Sequence, residues 1–295
     1  VSETPRIRTD RPLERVARVT LARPEARNAQ DFRMLYELDE ALLAAVADDE
    51  VRVIVVAADG PDFSSGHDLR AREDMSAWSP VTEWRGFDKP GAEGYFATEQ
   101  EVYVGLSWRW RNLPKPTIVA VQGRVIAGGL NLVWPFDLIV CTEDAVFSDP
   151  VTAFGILSSE YFVHPFEVGH RAAKEMLFTG QPIDAATAKS LGMVNHVVPR
   201  EELESTVLDL AARIAERPSF GVALAKRAVN HALESQGQWT TLQAALGWHH
   251  LAHSHARLVH DGSFVDPAGA ELIRRDARGT QGAGGTGGVT GPPPP

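Results

Sequence analysis

The segment from Ile118 to Pro150, IVAVQGRVIAGGLNLVWPFDLIVCTEDAVFSDP, constrains the fold more than any other stretch of the chain. It joins an apolar strand to a double-glycine turn, a short helix and further short strands around 138–141 and 146–148. A helix opening on Gly128-Gly129 presents unpaired backbone N–H groups at its positive end, which suits a developing oxyanion. Chemistry on an activated carbonyl is therefore expected.

The flanking sequence supplies the rest of an α/β pattern. Val16 to Leu21 reads as a strand, Pro24 to Asn28 as a polar turn, and Leu35, Leu38, Leu42 and Val46 as one stripe of an amphipathic helix. A buried strand over 51–56 is broken by Asp59-Gly60-Pro61, and the loop FSSGHDL follows at 63–69. Gly66, placed before a polar pair, lets backbone approach a ligand closely, so this loop is a second candidate oxyanion element. Residues from Arg70 to about Gly94 have no sustained period and are read either as an irregular roof over a pocket or as a surface excursion. A helix through Val102, Leu106 and Trp110 is stopped by Pro114-Lys115-Pro116 before the strand that begins at Thr117.

The second half is nearly all helix, with segments expected over 164–178, 184–191, 201–215, 220–233 and 239–260 and one strand over 193–198. Such an order suggests a sheet core followed by a module for packing or oligomerisation. From Arg278 the composition turns to glycine and proline, which cannot form a core and is read as a disordered tail.

Composition narrows the function. The 29 Lys and Arg against 39 Asp and Glu give a net charge of -10, which disfavours nucleic acid as a partner and means that an anionic substrate needs a local basic patch. No 18-residue apolar run is present and the polar start lacks an apolar signal core, so no membrane partner is expected and the location is read as cytoplasmic. Cys141 is the sole cysteine and lies in an apolar run, as expected of a buried, inert thiol.

Five stretches in this order resemble the crotonase superfamily, the enoyl-CoA hydratase/isomerase family: RPEARNA at 23–29, FSSGHDL at 63–69, KPTIVAVQGRVIAGGLNL at 115–132, FDLIVCTEDAVFSDP at 136–150 and AKEMLFTGQPIDAATAKSLGMVNHVVP at 173–199. The resemblance implies an α/β fold, a spiral of repeated ββα units over residues 1–199 with a helical trimerisation region over 200–277, ahead of the tail at 278–295. It further implies an acyl-CoA substrate, assembly as a homotrimer or dimer of trimers, no metal, and no cofactor other than coenzyme A as the carrier part of the substrate. By matching, the backbone N–H groups of His67 and Gly128 would hold the thioester oxygen, and the His67 side chain need do no chemistry. Ala26, Asp68 and Leu69 would flank the CoA nucleotide, with Arg27 and Arg70 as phosphate partners.

The chain also departs from that pattern. Hydratases of the family use two glutamates, and the matched positions here are Asn131 and Val151, neither of which exchanges a proton at neutral pH. Two acids nearby could replace them. Asp149 lies two residues before Val151 and could share its direction, though it could equally cap the corner before Pro150. Glu160, in SSEYFVH at 158–164, sits near the position from which dehalogenases of the superfamily supply a carboxylate nucleophile. Tyr161 and His164 complete that polar set, and Asn131 would orient water or the acyl group.

His249 and His253 share a helix face at i, i+4 spacing, but no carboxylate motif accompanies them and an interface or surface role is expected. Trp108 and Trp110 are read as packing groups. The expected activity is that of a hydratase-like lyase or isomerase with a non-standard acid/base set. The alternatives are an acyl-CoA or carbon-carbon bond hydrolase, and a non-catalytic acyl-CoA binder.

Overall fold

A computed structural model describes residues 4–71 and 74–283. Its main sheet has six strands in the order β1 (Ile7–Leu13), β2 (Val16–Leu21), β3 (Val53–Ala58), β4 (Thr117–Val121), β6 (Leu138–Thr142) and β9 (His196–Val198). Three shorter strands, β5 (Arg124–Ile126), β7 (Val146–Ser148) and β8 (Ile183–Asp184), make a second sheet. In the main sheet β1 runs antiparallel to β2, while every other neighbouring pair is parallel. The polar alternation IRTDRPL hides β1 from a reading by hydrophobicity, because it is an edge strand whose charged side chains face water.

Strand periodicity divides the core into two layers. Ile54 and Val56, Val119 and Val121, and Ile139 and Cys141 face the larger core, built with α1 (Phe32–Ala47). Val53 and Val55, Ile118 and Ala120, and Val140 face the other way, onto Val207, Ala211 and Ala215 of α7 (Leu203–Ala215). The sequence reading places α7 in the helical extension beyond residue 199, yet it covers one whole face of the sheet. The helix α1 carries the expected stripe and begins at Phe32 because the Asp31 carboxylate accepts from the Met34 N–H at 2.8 Å.

The irregular segment after Arg70 is pinned from below. Glu101, fully buried, accepts from the Val81 N–H at 2.6 Å, the Thr82 N–H at 3.0 Å and the Tyr36 hydroxyl at 2.9 Å, and also from the Thr82 hydroxyl. Glu101 belongs to a π-helical turn, Gln100–Gly105, between α2 (Ala92–Glu99) and α3 (Leu106–Arg111). Such turns occur often at functional sites because they rotate side chains out of helical register.

The remaining helices are α4 (His164–Glu167), α5 (Gly169–Thr179), α6 (Ala185–Ser190), α8 (Ser219–Ser235), α9 (Gln238–Val259) and α10 (Gly269–Ala283). The last helix carries residues 278–283, and the rest of the glycine- and proline-rich tail lies outside the described residues. No helix among the described residues is long and apolar enough to cross a membrane. Trp110 is buried and donates through its indole N–H to Asp39 at 3.0 Å, while Trp108 packs on Trp239, so both act as packing groups.

Candidate active site

Two of the resembling stretches are physically one structure. Asn28, fully buried, donates through its amide to the carbonyls of Asp59 at 2.9 Å and Asp62 at 3.2 Å, and accepts from the Arg23 N–H at 2.9 Å. The Ser64 hydroxyl donates to the Asn28 carbonyl at 2.8 Å and accepts from the Gly66 N–H at 3.2 Å. These bonds hold the loop after β3 between Gln30 on one side and Val125 on the other, through two parallel bridges. In the first bridge Gln30 donates to the Gly66 carbonyl and accepts from Asp68, so the His67 N–H turns away from Gln30.

Glycine is required on both sides of this point. Gly66 has φ 89° and a Cβ there would lie 2.7 Å from the Ile126 carbonyl oxygen and 3.3 Å from the Gly128 nitrogen. A Cβ on Gly128 would fall on the His67 imidazole and 2.7 Å from Gln30 Nε2. The two expected backbone donors, His67 and Gly128, are thus brought to one place. Gln30, buried with both amide atoms unpartnered among the described residues, joins them without having been singled out in the sequence.

A cleft of about 670 Å³ opens onto this point and is lined by Ala26, Arg27, His67, Asp68, Leu69 and Arg70. Arg6 and Arg23 line it too, forming the local basic patch that the net charge demands of an anion binder. Arg23 is spent on Asp68 at 2.7 Å and Asp31 at 3.5 Å, whereas the Arg27 and Arg70 side chains are exposed. Burial alone would raise the Asp68 carboxyl, but the Arg70 N–H, the Arg23 guanidinium and the Ala71 N–H outweigh it and hold the group below its ordinary value.

Behind His67 lies a buried polar cluster. Asn131, on the 3-10 turn Ala127–Leu132, donates through its amide to Glu160 Oε2 at 2.9 Å, and His67 Nε2 stands 3.4 Å from the same oxygen. The His67 ring stacks on Tyr103, with centroids 4.1 Å apart. Its side chain therefore lies beside the acid that the sequence reading proposed. Asn131 Oδ1 is buried and has no partner among the described residues, which leaves it an unused acceptor.

Asp149 takes no part in this cluster. Its carboxylate accepts from His164 Nε2 at 2.9 Å and from the Ser159 N–H at 2.7 Å, with both side chains completely buried. Of the two readings of Asp149 the arrangement favours the corner before Pro150, where it also accepts from the Val151 N–H at 3.4 Å, over an approach to the pocket. It instead braces the loop that presents Glu160, and His164 is its partner.

The histidines of α9 also differ from the expectation, because His249, His250 and His253 are buried within the protomer, leaving only His255 exposed. His249 Nε2 lies 3.9 Å from Glu160 Oε1 and 3.5 Å from Glu99 Oε2, while His250 Nε2 lies 3.0 Å from that Glu99 oxygen. Burial, then the charge of Glu160, holds the Glu99 carboxyl far above the ordinary carboxylate range. Burial also lowers His249 and His253, and pushes His250 down to about 4. Glu99 went unremarked in the sequence, although it continues the stripe Val102, Leu106, Trp110 toward the N-terminus at helical spacing. A carboxylate on an apolar stripe is the signal that could have found it.

The profile of the enoyl-CoA hydratase/isomerase family matches residues 13–260. A protein of Mycobacterium tuberculosis provisionally named enoyl-CoA hydratase EchA13 is 42% identical over 257 residues, 85% of this chain and 81% of that protein. Crystal structures of proteins described provisionally as enoyl-CoA hydratases agree in fold. The one from Mycobacterium thermoresistibile has a TM-score of 0.78 at 44% identity, covering 86% of this chain and 99% of its own. That from Mycobacterium smegmatis gives 0.79 at 43% identity over 88% and 98%. The chain belongs to the enoyl-CoA hydratase/isomerase family and has the crotonase fold.

Proposed function

We propose that this protein processes acyl-CoA thioesters, holding the thioester oxygen between the N–H groups of His67 and Gly128 while Glu160 moves the proton. The observation that carries this reading is the position of Glu160: a buried carboxylate fixed by Asn131 and 3.4 Å from His67, whose ring lies where a Cβ on Gly128 would fall. Each donor aimed at charge that develops only in the transition state contributes roughly 3 kcal/mol. Arg27 and Arg70 on the cleft would meet the CoA phosphates, with Ala26, Asp68 and Leu69 beside the nucleotide.

In the hydration direction one carboxylate suffices if it both takes and returns a proton. Water, held by the free Asn131 oxygen, would lose a proton to Glu160 as its oxygen bonds to the β-carbon. The thioester enolate so formed places its charge at the two N–H groups, and Glu160 then delivers the proton to the α-carbon. His67 Nε2, 3.4 Å from Glu160, is placed to share that proton.

Short, long and aromatic 2-enoyl-CoA thioesters test this directly by loss of the conjugated-enone absorbance and by product mass. A water adduct is expected. Release of free CoA would instead mark a hydrolase on the same scaffold, and tight binding without turnover a non-catalytic binder. The reading includes a cytoplasmic location and a homotrimer or dimer of trimers, supported by the apolar residues Phe220, Leu224, Trp248 and Leu251 that α8 and α9 leave exposed. Light scattering would check the assembly.

A further inference from the structure

We infer that Glu99, His249 and His253 form a binding site for a divalent transition-metal ion of the zinc type, beside Glu160. Two histidines and a carboxylate are a donor set suited to such ions, and here one donor atom from each residue lies within 4.8 Å of the others. Ligands about 2.0 Å from a tetrahedral ion stand about 3.3 Å apart. The observed separations are 2.9 Å between the two Nε2 atoms and 3.5 Å from His249 Nε2 to Glu99 Oε2. A small rotation of the Glu99 carboxylate would close the remaining edge.

The orientation of the rings favours the same conclusion. His253 Nδ1 donates to the Phe264 carbonyl at 2.5 Å, so its Nε2 presents a lone pair to His249. Backbone carbonyls commonly fix metal-binding histidines in this way. If His249 Nε2 carries a proton to make the hydrogen bond, its Nδ1 becomes a buried acceptor that faces the Ser158 carbonyl and has no donor among the described residues. With the proton on Nδ1 instead, two lone pairs oppose each other at 2.9 Å. Neither tautomer satisfies both ring nitrogens, whereas a cation between the Nε2 atoms does.

The surroundings agree. Glu99 and Glu160 are both buried near His249 Nε2, Glu99 Oε2 has no hydrogen-bond partner among the described residues, and the Arg257 charge acts on Glu99. A cation here would satisfy the unpartnered Glu99 oxygen and the two Nε2 lone pairs together. His250 Nε2, 3.0 Å from Glu99 Oε2, would then serve as an outer partner to the carboxylate.

The site does not depend on the thioester reading, and its test reads metal alone. The full-length protein, stripped with chelator, is titrated with Zn²⁺ by calorimetry, and with Co²⁺ while the visible spectrum is followed. One ion per chain is expected, together with the intense absorption of four- or five-coordinate Co²⁺. Glu99→Gln and His253→Ala should each weaken binding at least about tenfold, a loss that even outer-shell partners produce. His255→Ala, which removes the exposed histidine of the same helix, should leave binding unchanged. Circular dichroism checks that the variants fold, and the cobalt spectrum of the unaltered protein stands without them. Absence of stoichiometric binding, a weak six-coordinate spectrum, or binding insensitive to both substitutions would overturn the site in favour of a proton-sharing network.

Discussion

The two ends of the buried site are built differently. At the cleft end the architecture is made by backbone: Gly66, His67 and Gly128 are locked together by Asn28, Ser64 and two strand bridges, and glycine leaves room where a Cβ would strike the Ile126 carbonyl or the His67 ring. At the α9 end it is made by side chains drawn from α2, the 158–164 loop and α9. A backbone site tolerates change in the identity of its neighbours, because its donors belong to every residue. A side-chain site can be rewritten one residue at a time, because each contact, such as that of Asn131 with Glu160, belongs to two particular side chains.

The largest expected effect strikes the junction between the two ends. Glu160→Gln keeps the shape and the contact with Asn131 but removes the proton acceptor, so kcat on the productive thioester should fall about 10²–10⁴-fold with the protein still folded. Asp149→Asn should do the reverse. It disturbs a completely buried pair with His164 and should cost about 3 kcal/mol of stability in denaturant unfolding, with kcat within about threefold of the unaltered protein where both are folded. If Asp149→Asn abolished turnover and Glu160→Gln did not, the assignment of the acid would be wrong.

Next comes the backbone end. Gly128→Ala drives a methyl group into the His67 imidazole and toward Gln30, displacing the donors from the oxyanion position. A loss of about 10²–10³-fold in kcat is expected, the cost of removing one such donor. Unchanged kcat would mean that the thioester oxygen binds elsewhere.

The contrast also explains what the sequence could reveal. Backbone-made features sit in short local patterns, so the Gly66 and Gly128 turns could be read directly, and β2 and β7 were placed at their observed bounds, whereas Ala26, Arg27, Asp68, Leu69 and Arg70 of the cleft came only from the resemblance and Arg6 and Arg23 from neither. Side-chain clusters have no such locality. Glu99 and His249 are separated by about half of the chain, and the packing of α2 on α9 brings them together. The role of α7 was hidden for another reason: the stripe Leu203, Val207, Leu210, Ala211, Ile214 and Ala215 announces a buried face but not that the sheet is what it covers. Asp149 and Glu160 looked alike in sequence because both flank the same loop, and only the partners of each separate brace from acid.

The smallest effect sharpens the comparison at the root of the backbone end. Asp62 receives the Arg124 side chain at 2.9 and 2.8 Å and the Arg124 N–H at 3.1 Å, tying the loop that carries Gly66 to β5. The Arg124 guanidinium, opposed by burial and helped by its own N–H, holds the Asp62 carboxyl below the ordinary carboxylate range. Its folded value is depressed, so the stabilisation is complete above the unfolded value of about 3.9 and is lost as pH falls through the folded value. Arg124 is 45% exposed, so solvent screening limits the contribution to about 1 kcal/mol or less. Thermal unfolding from pH 7 to pH 3 should therefore show Arg124→Ala destabilised at neutral pH and converging on the unaltered protein at the acid end. Parallel curves across that range would show that the tie at Asp62 is one of shape and not of charge, and that the backbone end is held by its neutral hydrogen bonds alone.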